Sequence, residues 1–153
     1  MYVNVWGGII GDRRTPLIRI RRTLTAQTYI EDILTDVVLP FIAEQHIGRG
    51  ILQQDNSPVH KSNTVVIFLQ ENNIEVLPWP AVSPDMNCIE HVWAILGMEL
   101  LKLKPQPQNS EELFNALLVA WEAIDPQVIR NLTSKMRKRV NWLKQQNGCH
   151  TKF

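Results

Sequence analysis

Apolar positions recur along this chain in two rhythms. Residues 2–10 alternate loosely and are rich in Val, Ile, Tyr and Trp; Gly11-Asp12-Arg13-Arg14 is turn material, and Pro16-Leu17-Ile18-Arg19-Ile20 resumes an extended run. That pattern predicts an opening β-hairpin. After Thr25, a good helix cap, the period lengthens: Tyr29/Ile30, Ile33/Leu34, Val37/Val38 and Phe41 fall three to four apart, as on an amphipathic helix packed on a sheet. Pro40, which lacks an N–H, is expected to disturb its last turn. Residues 50–54 predict a short strand that delivers Asp55 at its C-terminal end. Asn56-Ser57-Pro58 then turns into a helix through Val65, Val66 and Leu69. Residues 74–77 predict another strand, stopped by Pro78-Trp79-Pro80.

The loop Ser83-Pro84-Asp85-Met86-Asn87 leads into a helix from about Cys88, with Ile89, Val92, Trp93, Leu96 and Leu100 on one face and Pro105 and Pro107 breaking it. Ser110 is a cap with Glu111 and Glu112 in the first turn, and Asp125-Pro126 places a cap and an N1 proline before a last helix. There Ile129, Leu132, Met136 and Leu143 align, and Gly148 can end it. Strand–strand–helix–strand–helix–strand–helix is an α/β order, with helices on both sides of a central sheet. No repeat or linker interrupts it, so residues 1–153 read as one domain.

Composition changes this picture little. A hydrophobic fraction of 44% and a charged fraction of 20% are ordinary for a folded protein. No apolar run approaches the roughly 18 residues of a membrane span, so no membrane partner is expected. The start has no basic n-region and reads as a strand that begins at once, which suggests a missing upstream segment. Cys88 and Cys149 lack the spacing of a zinc site or a disulfide scaffold. The net charge of +1 is unevenly placed: residues 126–153 hold seven Lys/Arg and no acid. That asymmetry hints at a polyanionic partner, or equally at a solvated basic face opposite the apolar stripe.

Functional groups in open α/β sheets gather at the carboxyl ends of strands, where Asp55 sits. Alone it reads equally as a turn or cap residue, and Glu90, at N3 if Asn87 is the cap, as a capping-box glutamate. Asp85 reads as turn chemistry, its side chain expected on local backbone N–H groups. Neither His60 nor His91 has metal-ligand spacing with the other, so both are expected in loop or supporting roles. The tryptophans read as core, except Trp79 between two prolines.

Two segments resemble a known family. Gln53-Gln54-Asp55-Asn56-Ser57-Pro58-Val59-His60 resembles the second-aspartate motif of Tc1/mariner transposases, and Trp79-Pro80-Ala81-Val82-Ser83-Pro84-Asp85-Met86-Asn87-Cys88-Ile89-Glu90-His91-Val92-Trp93 resembles the motif carrying their last acid. The 34 residues between Asp55 and Glu90 match the Tc1-like branch. Val5-Trp6-Gly7-Gly8, residues 25–30, residues 134–139 and residues 148–153 resemble further parts, so the similarity covers nearly the whole chain.

The resemblance implies an RNase H-like fold with a mixed central sheet flanked by helices, its first strand missing. It also implies metal-dependent DNA strand cleavage and transfer. Asp55 would be a central metal ligand and Glu90 a ligand of a second ion, the two lying close together at one end of the sheet. The ions would be Mg²⁺ or Mn²⁺, which suit hard carboxylate oxygens and in-line displacement at phosphorus. Implied partners are transposon-end and target DNA, a homodimer is compatible, and a DNA substrate implies the nucleus. The family's first aspartate and its helix-turn-helix domains have no counterpart here. The chain alone is therefore expected to be inactive, and the alternative is a catalytically dead DNA- or protein-binding remnant. Cys88 stands where the family usually has proline, which removes no ligand.

Overall fold

The computed structural model describes residues 1–45, 50–79, 86–136, 138–139 and 141. Contacts group the chain into two compact units, one of Met1–Arg19 with Pro84–Phe153 and one of Ile20–Ser83.

The opening forms the expected hairpin in two steps. Strand β1 (Asn4–Trp6) pairs with β4 (Ile18–Ile20), and β2 (Ile9–Ile10) pairs antiparallel with β3 (Arg13–Arg14), Ile9 opposite Arg14. Gly11 takes φ +60° with open space around it, so Gly11-Asp12 alone makes the turn. Arg13 and Arg14 are thus strand, not the turn material expected. The reason is tertiary: Arg14 donates to the Ile124 carbonyl (2.8 Å) and pairs with Glu122, which needs an extended backbone beneath it.

In the second unit, Thr25 caps as expected, exchanging hydrogen bonds with Thr28 in a capping box. A short α1 (Ala26–Thr28) runs straight into a π-helical stretch, Tyr29–Val38, and then α2 (Leu39–Glu44). Tyr29, Ile33, Leu34, Val37 and Val38 are all buried. Their repeat is four residues, not 3.6. A pair repeated every fourth position drifts by about 40° per turn around an α-helix, and wider i→i+5 turns absorb that drift. The change therefore begins eleven residues before Pro40, rather than at Pro40 in the last turn, and the helix passes through the proline into α2. Strand β5 (Gly50–Leu52) pairs in parallel with β6 (Ile74–Val76), and α3 (Asn63–Glu71), capped by Ser62, connects them. Val65, Leu69 and Ile74 complete this unit's buried interior.

The first unit resumes with α4 (Ile89–Lys102), α5 (Ser110–Glu122) capped by Asn109, and α6 (Pro126–Ser134) capped by Asp125. Its core is Leu17, Val92, Leu96, Trp121, Ile124 and Ile129. Trp121 is fully buried, stacks on Trp93 (5.5 Å between centroids) and donates to the Thr15 carbonyl (2.9 Å). Gly7 lies against this pair, where a Cβ would meet Trp121 at 2.9 Å and Trp93 at 3.2 Å. Among the described residues the strands form three two-stranded ladders, with parallel and antiparallel pairing both present. Leu143, Gly148 and Cys149 lie outside the described residues.

Candidate active site

Strand β5 stops at Leu52 because its partner β6 runs only to Val76, with one further bond from the Leu77 N–H to the Leu52 carbonyl (2.9 Å). The chain leaves the ladder there and Asp55 emerges three residues on. Its Oδ1 accepts from the Ser57 N–H (3.0 Å) and from His60 Nδ1 (2.7 Å). An ionised carboxylate only accepts, so Nδ1 carries the imidazole proton. Burial raises the Asp55 carboxyl, but the hydrogen bonds from Ser57 and His60 and the His60 charge outweigh it, leaving the group below its ordinary value. Asp55 thus makes the turn contact that its bland reading expects while staying ionised, and its side chain is 69% exposed with Oδ2 unengaged by the described residues.

His60 is the less exposed partner at 15%, held between two elements. Its ring lies 4.7 Å from that of Tyr29, and Tyr29 donates its hydroxyl to Gln54 Oε1 (2.8 Å). Burial, and then the negative charge of Asp55, push the Tyr29 phenol upward, so it stays a donor. The first turn of the π-helical stretch therefore props the loop that aims Asp55. His60 fits the supporting role expected of it; Tyr29 and Gln54 were missed. A buried aromatic in an apolar stripe looks like core, and only the fold brings its hydroxyl to residue 54.

Glu90 is the second residue of α4. The Asn87 side chain accepts from the Ile89 N–H (3.3 Å), while the Glu90 carboxylate is exposed and takes no hydrogen bond or ion pair among the described residues. The capping-box reading is therefore not realised. His91 faces inward instead: its Nε2 meets Arg139 Nη2 at 3.3 Å, and Nδ1 is buried without a partner among the described residues. Burial, then the charges of Arg139 and Lys135, lower the His91 value, so the ring is neutral near pH 7. Arg139 is only 2% exposed, so it belongs neither to a solvated face nor to a phosphate-contacting row, whereas Arg130 stays on the solvated face with its guanidinium paired to Asp12.

Asp55 belongs to the unit Ile20–Ser83 and Glu90 to the other. Among the described residues no group of three His, Cys, Asp or Glu side chains forms a ready metal cage. Asp85 lies outside the described residues. Asp55 and Glu90 still fit a hard divalent ion chemically, because each presents open carboxylate oxygen to solvent. Mg²⁺ is commonly bound by one or two carboxylates plus waters and substrate phosphate, not by a full protein cage.

The family model for the DDE superfamily endonuclease matches residues 3–114. The Tc1 transposase of Caenorhabditis elegans is 37% identical over 152 residues, covering 99% of this chain and 54% of that protein. The Tcb1 transposase of Caenorhabditis briggsae is 34% identical over the same shares. The chain thus spans about half the length of these relatives. Among solved structures, the Mos1 transposase catalytic domain with raltegravir and Mn matches with a TM-score of 0.79 at 19% identity, covering 98% of this chain and 83% of that one. A second Mos1 catalytic-domain structure, with Mg, matches at 0.77 and 22% identity, over 89% and 70%. At such identities the likeness speaks for the fold, which is RNase H-like. No helix among the described residues is long and apolar enough to cross a membrane. With the family match extending over most of its length, and Tc1-type transposases among its relatives, this chain belongs to the DDE superfamily of endonucleases.

Proposed function

We propose that this chain is the catalytic portion of a Tc1-like transposase, whose chemistry is divalent-metal-dependent cleavage and transfer of DNA strands. The observation that carries the reading is the state of the two motif acids: Asp55 held ionised with one oxygen unengaged, and Glu90 exposed and unpartnered, among the described residues. Asp55 and Glu90 are each read as a ligand for Mg²⁺ or Mn²⁺, which when bound would activate the attacking oxygen and stabilise the leaving one. His60 orients Asp55 through Nδ1, and Tyr29 fixes His60 from below. The first turn of α4 presents Glu90 at the start of the helix, with its carboxylate exposed. The Mos1 paired-end complex with Mn and the Mos1 strand transfer complex support DNA ends as the partner, and the nucleus is the compartment proposed for work on DNA. A homodimer is compatible with these proposals.

Among the described residues no group of three His, Cys, Asp or Glu side chains gathers at either acid, so the chain alone is expected to cut no DNA. Misplacing reacting groups by about 1 Å already costs around a hundredfold in rate. The test has two arms. Mn²⁺ binding, followed by paramagnetic broadening of backbone amides near residues 55 and 90, is expected in the chain and lost in Asp55→Asn and Glu90→Gln. Cleavage of transposon-end DNA is expected only once a strand bearing an aspartate is fused ahead of Met1. Broadening unaffected by either substitution would remove the metal assignment and favour a dead binding remnant. Cutting by the unfused chain that vanishes in Asp55→Asn would show that a residue within it supplies the missing ligand.

A further inference from the structure

The loop that presents Asp55 also forms one rim of a cleft that the two motif acids do not explain. It lies wholly within the unit Ile20–Ser83, encloses about 920 Å³, and runs from Asp55 across the end of α3 to the segment after β6. Functional clefts for organic ligands commonly hold roughly 300–1,000 Å³. Its floor includes Leu69, which is fully buried, and one wall is Trp79. Trp79 is tied to the catalytic loop, because Asn56, the residue after Asp55, donates Nδ2 to the Trp79 carbonyl (2.9 Å). That bond leaves Asn56 Oδ1 as an acceptor unengaged by the described residues. Gln54, whose Oε1 is taken by Tyr29, keeps its Nε2 donors. Lys61 lines the same space and has no ion pair among the described residues.

An apolar floor, an aromatic wall, one amide acceptor, one amide donor and a lone cation match a flat heteroaromatic ring with a polar edge and a phosphate on its backbone. We propose that this cleft receives an unstacked nucleobase of the DNA strand whose phosphate is addressed by Asp55. Trp79 is the stacking wall, Asn56 and Gln54 read the base edge, and Lys61 meets the neighbouring phosphate. The proposal rests on the reading of Asp55 as part of a DNA-processing site and deepens it. Bases outside a duplex are commonly held by stacking on aromatic side chains together with hydrogen bonds to their edges. Such stacking is tolerant of sequence and is worth roughly 5- to 150-fold in affinity per base. The occupant must be single-stranded or locally opened DNA, since a base inside a stacked duplex cannot present its face to an indole.

The probe is an eight-nucleotide oligothymidylate with one central 2-aminopurine, compared with the same oligonucleotide carrying an abasic site, both titrated with the full chain in Mg²⁺. The expected result is quenching of 2-aminopurine on binding. Trp79→Ala is expected to weaken the base-bearing oligonucleotide at least fivefold and to abolish the quench. Trp79→Phe should retain most of both, and the abasic oligonucleotide should bind chain and variant alike. Matching melting curves establish that the variants fold, and Asn56→Ala supplies an independent lesion expected to reduce the quench. Equal loss for both oligonucleotides, no effect of Trp79→Ala, or no binding of the oligonucleotide would each overturn the pocket. The outcome is separable from the metal assignment. A Trp79-dependent quench with Mn²⁺ binding indifferent to Asp55 keeps the pocket and removes the metal site, and the converse does the opposite.

Discussion

Single residues here carry consequences that their type alone does not announce. Asp55 and His60 are a case: the imidazole N–H and the Ser57 amide hold the carboxylate ionised, so the pair contributes stability with a definite pH sign. Because the folded value lies below the ordinary 3.8, that contribution is fully present above 3.8 and is lost as pH falls through the folded value. His60→Ala should therefore flatten the acid limb of the melting-temperature profile below about pH 4, and the Asp55 carboxyl followed by NMR should titrate at higher pH than in the parent. An unchanged Asp55 titration would mean that Ser57 alone sets its state. Gly7 is a second case. A methyl group there would press on the Trp121 and Trp93 rings at 2.9 and 3.2 Å, both already packed in the core. Gly7→Ala is expected to destabilise by about 1–3 kcal/mol, the usual cost of overpacking, measured by urea denaturation.

At the level of elements, the start of α4 is where a local rule and a tertiary demand meet. Cys88 sits with φ −65°, the value that proline's ring also imposes, and ψ −20°, and its N–H makes no hydrogen bond among the described residues. Cys88→Pro should thus stabilise by about 0.4–1 kcal/mol through the unfolded chain, raising the melting temperature by a few degrees. A fall in melting temperature would show that the buried thiol's packing outweighs the gain, or that Asn87 cannot adopt the extended form required before proline. The π-helical stretch teaches the complementary lesson. Its apolar positions were legible, and all five of its buried side chains lie on the expected face. The widened turn was not, because a four-residue spacing is read as a helical one until the register must persist over three turns against a packed neighbour.

For the molecule as a whole, the charge asymmetry toward the C-terminal end resolves into cations with different duties. Arg130 is committed to Asp12 and Arg139 is interior beside His91, whereas Lys135 and Lys138 are exposed. Only the last two are free to meet phosphate among the described residues of that stretch. The double variant Lys135→Ala with Lys138→Ala should reduce the salt slope of single-stranded DNA binding by about 1.4, at ~0.7 per phosphate contact. Arg139→Ala should leave the slope unchanged and cost about 1–3 kcal/mol of stability, since it removes hydrogen bonds made by a charged buried group. A slope that moves with Arg139 instead would reverse this division.

What the sequence by itself determined is whatever depends on near neighbours along the chain. The hairpin, the Thr25 and Asp125 caps, the apolar faces of the helices, and the placement of Asp55 just past a strand end all follow from spacing and local hydrogen-bonding chemistry, while α5 is capped by Asn109 and not by the Ser110 expected. The two acids were legible as candidates through their motifs, while their isolated readings, a turn aspartate and a capping glutamate, remained open. Tertiary structure decided between those readings. It showed that Asp55 makes the turn contact and still keeps an oxygen unengaged by the described residues, and that Cys88 is the N-cap of α4, with the Asn87 side chain accepting from the Ile89 N–H and Glu90 making no capping bond. It also decided that Arg14 must be extended to reach the carbonyls ending α5, that Arg139 is interior, and that Tyr29 props His60. Each of those outcomes turns on a partner tens of residues away, and desolvation and hydrogen bonding to such partners leave no trace in local periodicity.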